Sequence, residues 1–423
     1  METKNLVIIG NSAAGISAVE AIRQADKNSN ITIVSDEDYN SYCRCLISYF
    51  LAGDITEDKL VYQPQSFYKD RNIGLILNKK AVKVEPKKNR VVFEDKTSLG
   101  YDALLIATGA SSKLPPGLKG VKKKGVFGFR TIKDAKEILN LVPLSSSSCI
   151  LGGGLIGLKA AYGLFKRKQE LKVIVRSNFI LSQMLDEKAA GLFMKRFRDA
   201  GIDIMTGRDI AEILGNGDLK AVKLDSGKVI ACSILVIGKG VSPNIDLIRD
   251  TQIKIDKGIL VDEYMKTNIP NIFAAGDVMQ SFDLASRDSA VNALWPNAVE
   301  QGRIAGLNMA GQNFKYEGSM AMNSIEFFNL PAISMGITRP KAAGYEEIVI
   351  FDEKKNIYKK FVINQNRLVG MIAVGDIINS GVFLRLIKEG IDISAIKDEF
   401  ISETFSYAML LDLLKQKDEV YIV

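Results

Sequence analysis

The sequence predicts an α/β protein in which one strand–turn–helix–strand unit occurs twice and a smaller α+β region follows. Three observations predict this. An apolar strand runs into Gly10-Asn11-Ser12-Ala13-Ala14-Gly15, and a second runs into Gly152-Gly153-Gly154-Leu155-Ile156-Gly157. From about residue 316 the pattern changes to short β segments and one helix. At 423 residues the chain exceeds what one hydrophobic core supports, so two or three domains are expected.

In the first unit, residues 6–9 form the buried strand, a helix runs to about Gln24, and residues 31–34 form the next strand. The turn needs Gly10 for its backbone angles, a small residue at Ser12 for the approach of a pyrophosphate, and Gly15 for helix–strand packing. Free N–H groups at the helix start suit a diphosphate. Asp36 lies 21 residues after Gly15, where a carboxylate binds ribose hydroxyls. One such pattern is weak evidence; its recurrence after residues 149–151, with a helix to about Lys166 and a strand at 171–175, points to two dinucleotides in one enzyme. Pro115-Pro116-Gly117 and Ser242-Pro243-Asn244 are chain breakers between them. In the last region, residues 349–351, 360–363 and 368–374 read as strands and 381–388 as a helix.

Composition removes several classes. Histidine is absent, which excludes an imidazole base, a Ser-His-Asp triad and a His-ligated metal, and no metal is expected. No stretch of about 18 apolar residues occurs, so no membrane span is expected. Residues 1–4 lead straight into a strand with no signal-peptide pattern, and four cysteines suit a reducing compartment, so a cytoplasmic location is expected. The net charge of +7 comes mostly from lysine, including Lys122-Lys123-Lys124. It is spread along the chain without basic–aromatic clusters, which argues against nucleic acid and allows steering of acidic partners.

Three further motifs carry a resemblance. Residues 101–109, Tyr-Asp-Ala-Leu-Leu-Ile-Ala-Thr-Gly, resemble the strand that closes the first half of a flavin domain. Residues 267–277, ending Ala274-Ala275-Gly276-Asp277, resemble the second flavin fingerprint, whose aspartate binds the ribityl chain. Residues 295–302, Trp-Pro-Asn-Ala-Val-Glu-Gln-Gly, resemble the helix beside the isoalloxazine. Over residues 5–310 the chain resembles the two-dinucleotide-binding flavoproteins of the pyridine nucleotide-disulfide oxidoreductase superfamily. Within it, the likeness is to rubredoxin reductases, NADH oxidases, nitrite reductase flavin domains and apoptosis-inducing factor.

The resemblance implies two Rossmann-like domains, with the NAD(P) domain (114–242) inserted in the FAD domain (1–113 and 243–315) and a C-terminal α+β interface domain (316–423). It implies FAD contacts at Gly10, Ser12, Ala14, Gly15, Asp36, Glu37, Arg44, Cys45 and Val82. Further ones fall at Ala107, Thr108, Gly109, Arg130, Gly276, Asp277, Pro296, Asn297 and Ala298. For NAD(P)H it implies Gly152, Gly154, Leu155, Ile156, Gly157, Arg176 and Gly238.

The departures from the family pattern are informative. Disulfide reductases place Cys-x4-Cys beside the flavin, whereas this chain has Cys43-Arg44-Cys45 and no histidine to protonate a leaving thiol. Glutathione-type reduction is therefore excluded. Cys45 falls where single-cysteine NADH oxidases and coenzyme A-disulfide reductases keep a peroxidatic cysteine, and beside Arg44 its pKa is expected to be depressed; packing at the flavin edge is the alternative. Cys149 and Cys232 read as core. Arg44 matches an arginine on the FAD diphosphate, and Glu37 is a neighbour that can replace Asp36. Lys159 stands where the family commonly has glutamate, and Tyr49 where its lysine partner stands, so the charged pair is exchanged and Lys159 is expected near the flavin. Arg176-Ser177 occupy the place of the acid that selects NADH and favour NADPH.

These features imply an FAD-dependent NAD(P)H oxidoreductase feeding a small carrier such as rubredoxin or ferredoxin. A small-molecule acceptor is the alternative: an oxidase, peroxidase or CoA-disulfide reductase using Cys45. The expected catalytic residues are Cys45 and Lys159, the lysine stabilising negative charge on the reduced flavin. A flavin-bound scaffold or the diaphorase subunit of a larger complex is a third reading, and a homodimer through the C-terminal domain is expected.

Overall fold

The computed structural model describes residues 3–402, 406 and 408–410, so the end of the expected C-terminal domain, 411–423, lies outside the described residues. Strand β1 (Asn5–Ile9) pairs in parallel with β2 (Asn30–Val34) on one side and with Ala103–Ile106 on the other. Ile73–Ile76 and Ile272–Ala274 complete this five-stranded sheet at its edges. All four residues of Ala103–Ile106 are buried, as a strand covered on both faces requires.

The second parallel sheet uses only residues between 126 and 237. Its order is Asp203–Thr206, β4 (Glu170–Val175), β3 (Ser147–Leu151), Ile234–Ile237 and Val126–Phe127. The first sheet takes strands from both sides of that interval, so one α/β unit is inserted in the other. Where the chain crosses, Ala110–Ser112 pairs antiparallel with Val241–Pro243. Asn244 Nδ2 donates to the Thr108 carbonyl at 2.9 Å, and Thr108 Oγ1 donates to the Asn244 carbonyl at 2.9 Å. The two crossings are thus stitched to each other.

Three helices set the geometry of the cleft: α1 (Ala13–Ala25), α2 (Leu155–Lys166) and α3 (Trp295–Met309). Helix α3 lies against α1 at very short range. A Cβ added to Gly302 would meet the Ala14 carbonyl oxygen at 2.1 Å, and one at Gly306 would meet the Ala18 oxygen at 2.3 Å. The i, i+4 spacing of both pairs puts them on one seam.

The C-terminal region is an antiparallel sheet in the order Met322–Phe327, Leu330–Gly336, Arg367–Val374, Ile357–Asn364, Tyr345–Asp352. Helix Ser380–Glu389 packs Phe383, Leu386 and Ile387 against it in one apolar cluster with Phe361 and Met371. The first two strands lie outside the segments that the sequence marks as β. Their turn is Phe328-Asn329, both at positive φ (51° and 57°), a conformation that glycine normally signals. Among the described residues, no helix is long and apolar enough to cross a membrane.

Candidate functional site

The first glycine turn is built by exclusion of side chains. Gly10 has φ 125°, and a Cβ there would sit 2.1 Å from the Ala107 carbonyl oxygen; one at Gly15 would meet the Gly10 oxygen at 2.0 Å. Ser12 is the N-cap of α1 in extended conformation, makes no side-chain cap bond, and no acid follows in the first turn. The N–H groups at the start of α1 are therefore available to an anion. Helix α3 begins the same way after Leu294, with Pro296 in its first turn, Ala298 buried, and Asn297 Nδ2 donating to the Asn292 carbonyl at 3.2 Å. By contrast, helix Ile132–Leu141 is closed by a capping box of Thr131 and Asp134. Asp36 follows β2, is exposed, and has no hydrogen-bond partner among the described residues. Val82 falls at a bulge in the pairing of Ala81–Glu85, 40% exposed, so its peptide is free of the ladder.

Four expected FAD residues are drawn into one charged network. Arg44 forms an ion pair with Glu37 and donates through Nη1 to the Tyr42 hydroxyl (3.0 Å) and the Arg130 carbonyl (3.2 Å). Tyr42 in turn donates to Glu37 Oε2 at 2.5 Å. Arg130 donates to Asp277 Oδ2 at 2.5 Å and, through Nε, to the Ala110 carbonyl at 2.5 Å. Glu37 is thus committed to Arg44, and the Oδ1 oxygen of Asp277 is left for another donor. Gly276 (φ 80°) donates its N–H to Gln301 Oε1 at 2.9 Å, and Gly109 has φ 65°. Gln301 is 2% exposed and donates to Tyr316 Oη at 3.2 Å. Gln301, Gly302 and Gly306 position this side of the site; Gln301 and Gly302 end the 295–302 motif without having been named as site residues, and Gly306 was not singled out from the sequence. The signal that could have found the glycines is their four-residue spacing, matched by Ala14 and Ala18.

The second turn repeats the first. Gly152 has φ 125°, and a Cβ there would meet the Gly238 oxygen at 2.4 Å; one at Gly157 would meet the Gly152 oxygen at 2.2 Å. A Cβ at Gly238 would lie 2.7 Å from the Gly157 Cα. Gly154, the N-cap of α2, faces open space, with no acid in the first turn. Leu155 is half-buried and Ile156 exposed. The donor set fits a second diphosphate, as the start of α1 fits the first. Arg176 is exposed directly after β4.

Between the turns, α2 packs on helix Ile47–Ala52, with Leu51 Cδ2 3.0 Å from where a Gly163 Cβ would be. Lys159 Nζ lies 5.9 Å from the Tyr49 ring centroid. Burial pushes the Lys159 ammonium down, and the charges of Cys45 and Cys43 oppose that. The thiol expectation needs correction. Cys45 is exposed, but it serves as hydrogen-bond donor to Cys43 and its pKa is pushed up, burial adding to the effect. Cys43 is the depressed thiol, at about 6, because the Cys45 S–H stabilises its thiolate first and the amides of Cys45 and Leu46 and the Lys159 charge add to that. Arg44 is turned to Glu37 and does not activate Cys45. All four cysteines are free, and Cys149 and Cys232 are buried.

Residues 4–302 match the family described as pyridine nucleotide-disulphide oxidoreductase, and residues 322–391 match the rubredoxin NAD+ reductase C-terminal domain. The chain is 31% identical over 396 residues to nitrite reductase [NAD(P)H] of Bacillus subtilis, covering 93% of this chain and 48% of that protein. It therefore spans about half the length of that relative, as it does of the assimilatory nitrate reductase electron transfer subunit of the same organism. It is 30% identical over 406 residues to NADH-dependent phenylglyoxylate dehydrogenase subunit epsilon of Aromatoleum evansii, covering 95% and 96% of the two chains. Among solved structures, an NAD-dependent persulfide reductase from A. fulgidus superposes with TM-score 0.87 at 26% identity, over 95% of this chain and 79% of that one.

Proposed function

The chain belongs to the pyridine nucleotide-disulphide oxidoreductase family, and on that premise we propose that it is an FAD-dependent NAD(P)H oxidoreductase that delivers electrons to a small redox protein. The observation that carries this reading is the meeting of the two glycine units: Lys159, on the helix of the second, lies over Tyr49, on the short helix that follows the first along the chain. Hydride transfer needs two cofactors face to face, and only such a seam allows it. When bound, FAD supplies the ring that accepts a hydride and releases electrons singly or in pairs.

The protein's part is to bind and orient. The starts of α1 and α2 receive the two diphosphates, Asp36 receives ribose hydroxyls, and Asp277, held by Arg130, orients the ribityl chain. Lys159 supplies positive charge at the seam, where negative charge develops on reduction. Arg176 selects the 2′-phosphate of NADPH, a preference that would set this chain apart from the NADH-dependent epsilon subunit. The match of residues 322–391 to a rubredoxin reductase domain favours a one-electron protein carrier as acceptor.

A second reading is a diaphorase subunit of a larger complex, favoured by the nearly full-length match to a dehydrogenase subunit. The test is anaerobic. Purified protein should carry about one FAD per chain, reduce an artificial dye with NADPH, and reduce added rubredoxin or ferredoxin. Dye reduction without carrier reduction, together with co-purification in a larger assembly, would move the assignment to the subunit. Protein that takes up no FAD would refute both.

A further inference from the structure

We infer that Arg208 and Arg339 complete, with Arg176, a three-guanidinium cradle for the 2′-phosphate of NADPH; this rests on the cofactor reading above and extends it to two other segments of the chain. The segment that follows β4 is gripped on both sides. On one side, the turn after Asp203–Thr206 is laid along it: Gly207 donates its N–H to the Ser177 carbonyl at 3.2 Å, and Arg208 donates its N–H to the Val175 carbonyl at 3.1 Å. Arg208 Nη1 donates to the carbonyl of Gly207, the residue whose N–H is held by Ser177, at 3.4 Å. On the other side, Arg339 of the C-terminal domain donates Nη1 to the Ser182 carbonyl at 2.6 Å and lies 5.1 Å from the Phe179 ring centroid. Ser177 Oγ donates to the Phe179 carbonyl at 2.7 Å and draws the segment into a tight turn between the two arginines.

The charges at this place have no internal partner. Among the described residues none of the three arginines is paired with a carboxylate, and Asp209, next to Arg208, is already neutralised by Lys239 at 2.6 Å. A guanidinium fork suits a phosphate, whereas the ribose hydroxyl of NADH gives it little to bind. The C-terminal domain also fixes the far end of the segment. Asp186 accepts from Tyr358 Oη at 2.5 Å and lies 3.5 Å from the buried Lys360 ammonium. Arg339 is therefore presented from a domain anchored at two points on the segment it serves. The charge beside Ser182 is thus supplied by residue 339, through the Ser182 carbonyl.

The test separates the phosphate from the rest of the nucleotide. Binding of adenosine 2′,5′-bisphosphate and of 5′-AMP to the FAD-loaded protein is measured by calorimetry for wild type, Arg176→Gln, Arg208→Gln and Arg339→Gln. Each variant should weaken the bisphosphate by about tenfold or more, the loss of one charge-assisted hydrogen bond, and leave 5′-AMP within about twofold. Wild-type bisphosphate affinity in both Arg208→Gln and Arg339→Gln, with a loss confined to Arg176→Gln, would overturn the inference and keep the NADPH reading. Equal affinity of wild type for the two nucleotides would overturn the NADPH reading itself. If Arg339→Gln weakened both nucleotides alike, Arg339 would be a domain anchor and not a phosphate ligand.

Discussion

The seam between α1 and α3 permits a sharp test of how folding and cofactor binding are joined. Gly302→Ala adds a single methyl group, and alanine favours a helix over glycine by about 1 kcal/mol, so propensity alone predicts stabilisation. Packing predicts the reverse. The new Cβ would sit 2.1 Å from the Ala14 oxygen, 2.7 Å from its Cα and 2.8 Å from its carbonyl carbon, all backbone atoms that have no rotamer to yield. Non-bonded contacts are comfortable near 3.5 Å, so the helices must part by roughly 1 Å or more. A gap of that size forfeits a quarter to a half of each contact along the seam, and over-packing costs typically about 1–3 kcal/mol. Because backbone meets backbone, the upper end applies, and net destabilisation of about 2 kcal/mol remains after the propensity gain. Ala14 lies in the first turn of α1, so the same displacement moves the N–H groups offered to the FAD diphosphate by more than a hydrogen bond tolerates. Gly154→Ala is the matched control: it points into open space at φ −80°, so it should leave folding intact while crowding the second diphosphate. Thermal melts and flavin content after gel filtration distinguish the two. Gly302→Ala should melt several degrees lower and lose FAD; Gly154→Ala should keep both and bind NAD(P)H more weakly. A Gly302→Ala protein with wild-type melting temperature and full flavin would refute the reasoning.

Other expectations follow from single contacts. Arg176→Glu should lower kcat/KM for NADPH relative to NADH by about a hundredfold or more, since like-charge juxtaposition costs several kcal/mol; an unchanged ratio means that Arg176 does not reach the phosphate. Cys43 should be the thiol that alkylates at neutral pH, its rate rising through about pH 6. The donors that stabilise its thiolate lower its pKa, so removing one raises it: Cys45→Ala and Lys159→Met should each move the half-point of alkylation to higher pH, and a half-point that stays put in both refutes the assignment. Neither variant should remove the flavin. Arg130→Met leaves Asp277 without its partner and the Ala110 carbonyl without its donor, at a site whose two charged side chains are only 21% and 15% exposed. Discounted for that residual exposure, the cost should be about 2 kcal/mol in urea unfolding of the flavin-binding unit, and a midpoint equal to wild type would show the pair to be idle.

The legible parts of this chain are those where backbone geometry admits one residue type. Gly10 and Gly152 share φ 125°, each with a carbonyl where a Cβ would be, so the two turns announce themselves in sequence and bring with them their flanking strands and helices. Lys159 lies over Tyr49, so the two positions where the chain departs from the family pattern on these helices meet in space. What stayed hidden depends on distance along the chain or on the direction of a side chain. The Arg130–Asp277 pair joins residues 147 apart and ties the start of one unit to the end of the other. Arg44 was expected on the FAD diphosphate and beside the Cys45 thiol, and only the fold of residues 37–44 turns it to Glu37. That decision carries the thiol chemistry with it. With Arg44 occupied, the positive charge near the cysteines comes from Lys159 on the second unit, and the sulfur favoured as a thiolate is the one that accepts the other's hydrogen bond. The activation of Cys43 is therefore mainly a property of the turn Cys43–Leu46, whose thiol and amides supply the larger share, and Lys159 adds to it across the seam, so a separated first unit should keep most of the depression.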